Sequence, residues 1–414
     1  MTTYTEALAL ILAHSKRLPA DCCAPLAALG RVLSEPVHSA HDLPPFDNAA
    51  MDGYALAAGD AGFAAGSEHA VGGRQAAGDA GHVSNGQALE IMTGARLPDG
   101  LDSVIAVERT EVVQRDGDTI QRIRLSEALA PGANVRRAGS DVRAGSEALP
   151  AGRSVDAAAV MLLAALGVAS VAVTRRPRVA VISTGKELID DPNQPLQSGQ
   201  IYGSNAPYLV AALQSAGAEV VLCRTVDDQP QHFRQALDAA LAADVEMVIS
   251  TGAVSMGFHD FVPSTLRALG AEVLYHKVAI RPGKPQLFAR LPDGPLLFGL
   301  PGNPMAVAVG LRFFVAPALR ALAGLPPERS LLARLAAPCR VKPGMRHFLK
   351  ARVEQDAQAQ LIVSLPGGQE SFRIRPLLDC NAWAVFPEAG DEHAAGQLVQ
   401  IFPLQPGQPL ALLP

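Results

Sequence analysis

The sequence predicts a multidomain α/β protein built around a central, mostly parallel sheet. Three observations predict it: a length of 414 residues, alternating strand-like and helix-like segments across 175–325, and short strands with Gly/Pro turns on either side of them. At roughly 100–200 residues per domain, the length calls for several domains. A composition of 49% hydrophobic and 18% charged residues supplies packed cores and excludes an intrinsically disordered chain. Aromatics are only 5%, against 37 Gly and 32 Pro, so the cores are expected to use Ala, Leu and Val, and many turns to be sharp or stiff.

Along the chain, Thr3-x-x-Glu6 has the form of a capping box and predicts a helix over 7–13. A second short helix is expected over 25–33. From 44 to 143 short apolar alternations, such as Ala88-Leu-Glu-Ile-Met, are broken by Gly, Asp and Asn, which predicts an inserted β-rich domain. A helix over 155–166 resumes the helical character, so 1–43 and 144–174 are expected to form one discontinuous helical domain. In the domain over 175–325, strands at Val179-Ala-Val-Ile-Ser, Glu219-Val-Val-Leu, Glu246-Met-Val-Ile-Ser and Leu296-Leu-Phe alternate with helices over 207–216, 232–242 and 264–269 and one after Pro304. An extended stretch covers 272–280. That spacing means βαβ units with helices on both sheet faces. Beyond Pro326-Pro327, residues 326–414 predict a C-terminal β-barrel-like domain.

Charge and cysteine content narrow the function. Thirty-five Lys plus Arg against 40 Asp plus Glu gives a net charge of −5, so no nucleic acid or anionic membrane is expected as a partner. Cys22, Cys23, Cys223, Cys339 and Cys380 form no C-x-x-C pair and are odd in number, which fits a reducing cytoplasm. The N-terminus lacks a basic region ahead of a long apolar run, so no secretory signal is expected. The Ala-rich run 157–173 falls short of the roughly 20 residues of a membrane span and reads as a buried helix followed by a strand.

In a parallel sheet the loops leaving the carboxyl ends of the strands converge on one crevice. Three such loops are rich in small polar residues: Ser183-Thr184-Gly185-Lys-Glu187, the loop from Thr251 through Gly252, Ser255 and Gly257, and Pro301-Gly302-Asn303-Pro304. Each alone is an ordinary turn. Converging ahead of a helix N-terminus, they form a candidate phosphate cradle. Arg281 and Lys284, on the stiff loop Ile280-Arg-Pro-Gly-Lys-Pro, add charge-assisted donors for an oxyanion. Glu187, Asp227 and Asp260 fall at predicted strand ends, and carboxylates beside phosphates imply Mg²⁺. Asp227-Asp228 also reads as the first turn of the next helix. In Pro44-Pro-Phe-Asp-Asn-Ala-Ala-Met-Asp-Gly-Tyr54, Asp47 and Asp52 are either site residues or makers of Asx-turns. No H-E-x-x-H, G-x-S-x-G, Walker loop or phased G-x-G-x-x-G is present.

The ordered motifs PPFDNAAMDGYAL from Pro44, IMTGARLP from Ile91, GSDVRAG from Gly139, STGKEL from Ser183, GQIYGSN from Gly199, TGAVSMGFHDF from Thr251, IRPGKP from Ile280 and GLPGNP from Gly299 resemble the MoeA family, the molybdopterin molybdenumtransferases, and the homologous E domain of gephyrin. The resemblance covers most of the chain. It implies a central domain of the molybdopterin-binding type, an elongated four-domain subunit and a homodimer. The implied reaction is Mg²⁺-dependent insertion of molybdate into adenylylated molybdopterin, with release of AMP and molybdenum cofactor. It also implies contact with the molybdopterin adenylyltransferase and with molybdenum enzymes.

Carried over by position, Glu187, Asp227 and Asp260 match acidic residues of the family site. Lys277, Arg281 and Lys284 surround the anion, and Pro301 and Pro304 shape the last loop. Asp52, Thr93 and Asp141 match the family's second domain, which there reaches the partner's site. Lys186, Ala253, Arg281 and Phe258-His259 depart from the commonest pattern: Lys186 stands in place of an acid, Ala253 in place of a glycine and Arg281 in place of a lysine. Two other classes share parts of this pattern. An ATP-using adenylyltransferase has the same α/β domain but usually stands alone, and a gephyrin-like scaffold would not need the acids present here.

Overall fold

Val179, Val181, Met247, Ile249 and Phe298 pack on one face of the central sheet, while Ala180, Ile182, Val248 and Leu297 pack on the other. All nine are fully buried, as the strands of a sheet covered on both sides must be. The structure, a computed structural model, describes residues 1–81, 83–254, 261–292 and 294–412. The chain divides into two units: Met1–Asp21 with Gly30–Val32 and Ala172–Pro414, and Cys22–Leu29 with Leu33–Val171.

In the first unit the six strands stand in the order Glu219–Val226, Arg178–Thr184, Met247–Thr251, Leu296–Leu300, Leu287–Arg290, Glu272–His276. Neighbours among the first four pair in parallel. Leu287–Arg290 runs antiparallel to both of its neighbours. It reaches Leu296–Leu300 through the short connection 291–295, which is too short for the crossover that parallel pairing needs.

Helices Tyr4–His14 and Asn205–Ser215 cover one face, as does the continuous helical run of Pro304–Gly310, Leu311–Val315 and Ala316–Leu322. Pro230–Ala242 and Val262–Ala268 cover the other. Thr3 and Glu6 close the expected capping box on the first helix. The run Pro304–Leu322 is long and apolar enough to cross a membrane, and 83% of its apolar window is buried inside the protein.

C-terminal to this sheet, strands Leu331–Leu335, Arg346–Gln355, Leu361–Ser364, Ala382–Phe386 and Leu398–Pro403 close into a five-stranded barrel through the pairing of Arg346–Gln355 with Ala382–Phe386. Ala384 and Phe386 point into the barrel core, and Trp383 and Val385 pack outward against the core of the α/β sheet. Ile280–Arg281 adds to the barrel in parallel, setting Arg281 opposite His347.

In the second unit a six-stranded sheet has the order Ser103–Ala106, Gly53–Leu56, Ala88–Ile91, Glu68–Gln75, Thr119–Leu125, Thr110–Asp116. The helix Ala157–Ala165 starts on an Asp156 cap. Two expectations are corrected. Residues 25–30 form turns rather than a helix. Only Ala28 is buried there, with Leu26 74% and Leu29 48% exposed, so no apolar stripe offsets the cost of nucleating a helix ahead of Gly30. Helix Ala157–Ala165 is also only partly buried, because Ala159 and Leu163 face inward while Met161 is 71% exposed.

Candidate functional site

The parallel strands Arg178–Thr184, Met247–Thr251 and Leu296–Leu300 end side by side, and their last residues lock the loops that follow. Thr184 Oγ1 donates to the Thr251 carbonyl at 3.0 Å, and Thr251 Oγ1 donates to Ser183 Oγ at 3.0 Å. Gly252 N donates to the Leu300 carbonyl at 3.0 Å. Gly252 has φ +85°, and a Cβ there would stand 2.6 Å from the Thr184 carbonyl oxygen, so only glycine fits between the loops.

Asn205, at the start of its helix, donates from Nδ2 to the Gly302 carbonyl at 2.8 Å. A cavity of about 550 Å³ opens at this edge. Its polar wall holds Ser183, Thr184, Glu187, Thr225, Asn205 and Asn303, and Ile201, Tyr202, Phe372 and Ile374 supply apolar surface. The N–H groups of Gly302 and Asn303, just before the helix that begins at Pro304, have no partner among the described residues. That is the arrangement that suits a phosphate.

A second cavity of about 810 Å³ adjoins it, with Asn303 and Phe372 lining both. Its walls combine Arg281, Pro282 and Pro285 of the stiff loop with Arg340, Lys342 and His347 of the barrel. His347 sits at 4% exposure with Nε2 3.0 Å from the Lys342 carbonyl. Burial pushes its pKa down, the hydrogen bond to Lys342 opposes this, and Arg281 and His393 add to the depression. The fixed positive charge of this cavity therefore comes from Arg281, Arg340 and Lys342, against Glu370 in the same wall and with Arg340 also paired to Glu392, a balance that suits an oxyanion.

The structure brings some of the sequence-predicted residues together and separates others. Ser183, Thr184, Glu187, Gly252, Gly302, Asn303 and Pro304 line the first cavity, and Arg281 and Pro301 line the second. Gly185 sits in the first loop, where a Cβ would meet the Glu187 carboxylate at 2.8 Å. Lys284 is exposed on the loop of Arg281, outside both cavity walls, and its carbonyl accepts from Val278 N and Gln286 N. Lys277 has φ +91° and donates its N–H to the Gln286 carbonyl at 2.8 Å. Ser255, Gly257 and Asp260 lie outside the described residues.

Asp227 is engaged at the start of the next helix. Its carboxylate accepts from Gln229 N at 3.2 Å and meets His232 Nδ1 at 2.7 Å. The His232 bond leads in holding its pKa below the usual carboxylate range. Among the described residues no group of three or more His, Cys, Asp and Glu side chains could hold a metal ion.

In the second unit, Asp52 accepts from both the N–H and the hydroxyl of Thr93. Asp47 accepts from Ala138 N at 2.7 Å and pairs with Arg137 at 2.6 Å. Both acids thus tie distant segments rather than forming local Asx-turns. Asp141 lines a separate cavity of about 590 Å³ with Ser140 and Arg143.

Arg340, Lys342, His347 and Phe372 escaped the sequence reading because no local motif marks them. Asn205 closes the segment GQIYGSN, whose spacing alone gives it no role.

Three regions of the chain match known families. Residues 2–167 match the MoeA N-terminal region (domain I and II). Residues 180–321 match the "Probable molybdopterin binding domain", and residues 332–404 the MoeA C-terminal region (domain IV). The chain is 36% identical over 408 residues to the molybdopterin molybdenumtransferase of Synechococcus elongatus, spanning 96% of this chain and 98% of that protein. It is 33% identical over 384 residues to the molybdopterin molybdenumtransferase of Bacillus subtilis, spanning 90% and 87%. The solved structure of the molybdopterin biosynthesis MoeA protein from Pyrococcus horikoshii OT3 is similar with a TM-score of 0.79 and 29% identity, over 97% of this chain and 99% of that one.

Proposed function

As a member of the MoeA family, the chain is a molybdopterin molybdenumtransferase of molybdenum cofactor biosynthesis, and we propose that it inserts molybdate into adenylylated molybdopterin in a Mg²⁺-dependent reaction that releases AMP. The observation that carries this reading is the pair of adjoining cavities sharing Asn303 and Phe372, one polar at the sheet edge and one cationic.

In this reading the 550 Å³ cavity takes the pterin and its phosphates. The Gly302 and Asn303 N–H groups bind phosphate oxygens, and the strand-end hydroxyls of Ser183, Thr184 and Thr251 hold the loops that shape the pocket. Molybdate occupies the 810 Å³ cavity against Arg281, Arg340 and Lys342, so that the dianion and the pterin meet where the two cavities adjoin, beside Asn303 and Phe372.

The donor set fits a Mg²⁺ held largely by substrate phosphates. Glu187 is the one carboxylate in the first cavity's wall among the described residues, and Mg²⁺ characteristically takes one or two carboxylates with phosphate and water. Asp260 and Asp227 belong to the proposed set, the latter after leaving His232. When bound, the ion supplies neutralisation of the charge that develops as the phosphoanhydride linkage to AMP breaks.

The division into 1–43 with 144–174, 44–143, 175–325 and 326–414 belongs to the same proposal, supported by the separate family matches. So does a homodimer, which the family resemblance implies. In that assembly Asp52, Thr93 and Asp141 would serve the partner's site. The adenylyltransferase that makes the substrate and the molybdenum enzymes that accept the product are the expected partners, in a cytoplasmic setting. Reconstitution with adenylylated molybdopterin, molybdate and Mg²⁺ tests it: AMP is expected without ATP, and no AMP above a protein-free control sinks the reading.

A further inference from the structure

Lys350 lies on strand Arg346–Gln355, next in alternation to Phe348, and is 1% exposed. Its ammonium has no carboxylate partner among the described residues. Instead Nζ donates to the carbonyls of Gly368 at 2.5 Å and Arg373 at 3.0 Å. Burial pushes the pKa of this lysine down. A hydrogen-bonding amine stands there although an apolar residue would avoid the desolvation.

The backbone of Lys350 is tied to the same segment. Its N–H donates to Gln369 Oε1 at 3.0 Å, and Gln369 Nε2 donates back to its carbonyl at 2.9 Å. The glutamine amide thereby stands in for a strand where pairing with Leu361–Ser364 has ended at Arg352. Gly368 has φ +80°, and a Cβ would stand 2.8 Å from Pro376 Cγ, so the turn is closely fitted. At its far side the Ser371 carbonyl accepts from Met305 N at 3.0 Å, docking the segment on the helix that follows the Gly302-Asn303 loop.

Gln369, Glu370 and Ser371 line the cationic cavity, Ile374 the polar one, and Phe372 both. Phe372 is 65% exposed. Little packing holds this ring, so its position depends on the backbone beneath it.

We propose that Lys350 is a positioning residue for the transfer reaction: by clamping the Gly368 and Arg373 carbonyls it fixes residues 368–373 and so sets Ser371 in the cationic cavity and Phe372 where the two cavities adjoin. The proposal rests on the reading of these cavities as the substrate site. A substrate that must first select an ordered wall binds more weakly by the ordered fraction, and at saturation the reaction proceeds as before. Loss of the clamp therefore appears in KM and spares kcat.

Lys350→Met keeps the length of the side chain and removes both donors. In substrate-free hydrogen exchange, amides within 366–374 are expected to exchange at least tenfold faster while Ala382–Phe386 keeps its protection. In the reconstituted reaction, KM for adenylylated molybdopterin is expected to rise at least fivefold, with kcat within twofold. Unchanged exchange in 366–374 overturns the proposal. So does a fall in kcat at constant KM, the signature of a smaller folded fraction. Gln369→Ala removes the backbone ties without touching the buried ammonium and is expected to give the same KM-weighted loss at smaller amplitude. It carries the test if Lys350→Met does not fold, and a wild-type KM in it overturns the proposal. Wild-type enzyme with no saturable AMP release would strike the site reading instead, while the exchange data still decide the clamp.

Discussion

Asp52 Oδ1 accepts from Thr93 twice, from the backbone N–H at 2.6 Å and from the hydroxyl at 2.8 Å, across 41 residues of sequence. The backbone bond leads in holding the Asp52 carboxyl below its usual range, followed by the hydroxyl bond. Its stabilising contribution is thus present above the unfolded pKa and is lost as pH falls through the lower folded one. Thr93→Val is expected to move the Asp52 titration midpoint upward in carboxyl NMR without undoing the fold. A midpoint that stays put would show that the backbone donor alone sets it.

Arg281 stands in the wall of the cationic cavity and Lys284 does not. Charge-assisted hydrogen bonds are worth roughly 1.5–3 kcal/mol. Arg281→Ala is therefore expected to weaken molybdate binding about tenfold or more at fixed salt, and Lys284→Ala to weaken it less. Calorimetric titration of the two variants decides it, and equal losses would place the anion outside this wall.

The acids of the proposed metal set separate binding from turnover. Asp260→Asn and Glu187→Gln keep size and polarity while removing charge. Each variant is expected to fold and to bind adenylylated molybdopterin, with AMP release down at least tenfold and partly restored at high Mg²⁺. Normal release from a folded Asp260→Asn protein would assign that acid to a turn.

Ala253 holds φ +51°, the left-handed region that disfavours a Cβ. Ala253→Gly is expected to stabilise the fold by about 0.5–1 kcal/mol, the relieved strain exceeding the added freedom of the unfolded chain. Urea unfolding should show a higher midpoint at unchanged slope, and a lower midpoint would contradict it.

His347 is a base whose folded pKa is depressed, chiefly by burial. The unfolded chain takes up its proton first, so stability from this group is complete above the ordinary histidine value of about 6.5 and falls as pH drops below it. His347→Gln is expected to flatten the acid side of the stability curve in that window and to leave molybdate affinity at pH 7 within about twofold, since the ring is neutral there. A large affinity loss at pH 7 would mean that His347 binds the anion as a cation.

The α/β sheet was legible because its strands are buried on both faces, so Val179 to Ile182 reads as an unbroken apolar run, and because Thr3 and Glu6 announce a helix start. The sheet-edge half of the site was legible for the same reason: a loop's place follows once its strand is known to be parallel. Residues 25–30 misled because an apolar tract resembles a helix until its Leu26 and Leu29 prove to face solvent. Arg340, Lys342, His347 and Phe372 could not be read locally. His347 meets Arg281 because Ile280–Arg281 pairs with Arg346–His347, a register that no spacing in the chain announces, and the others reach the same cavity only through the tertiary fold.

Asn303 and Phe372 belong to two cavities at once. Neighbouring ligands there need no relay through the protein, because the same two residues line both compartments. Thermodynamic reciprocity then applies through shared lining residues: whatever factor the first guest imposes on the affinity of the second, the second returns to the first. The order in which the compartments fill is therefore a matter of kinetics alone, and both orders arrive at the same doubly occupied state with the same free energy.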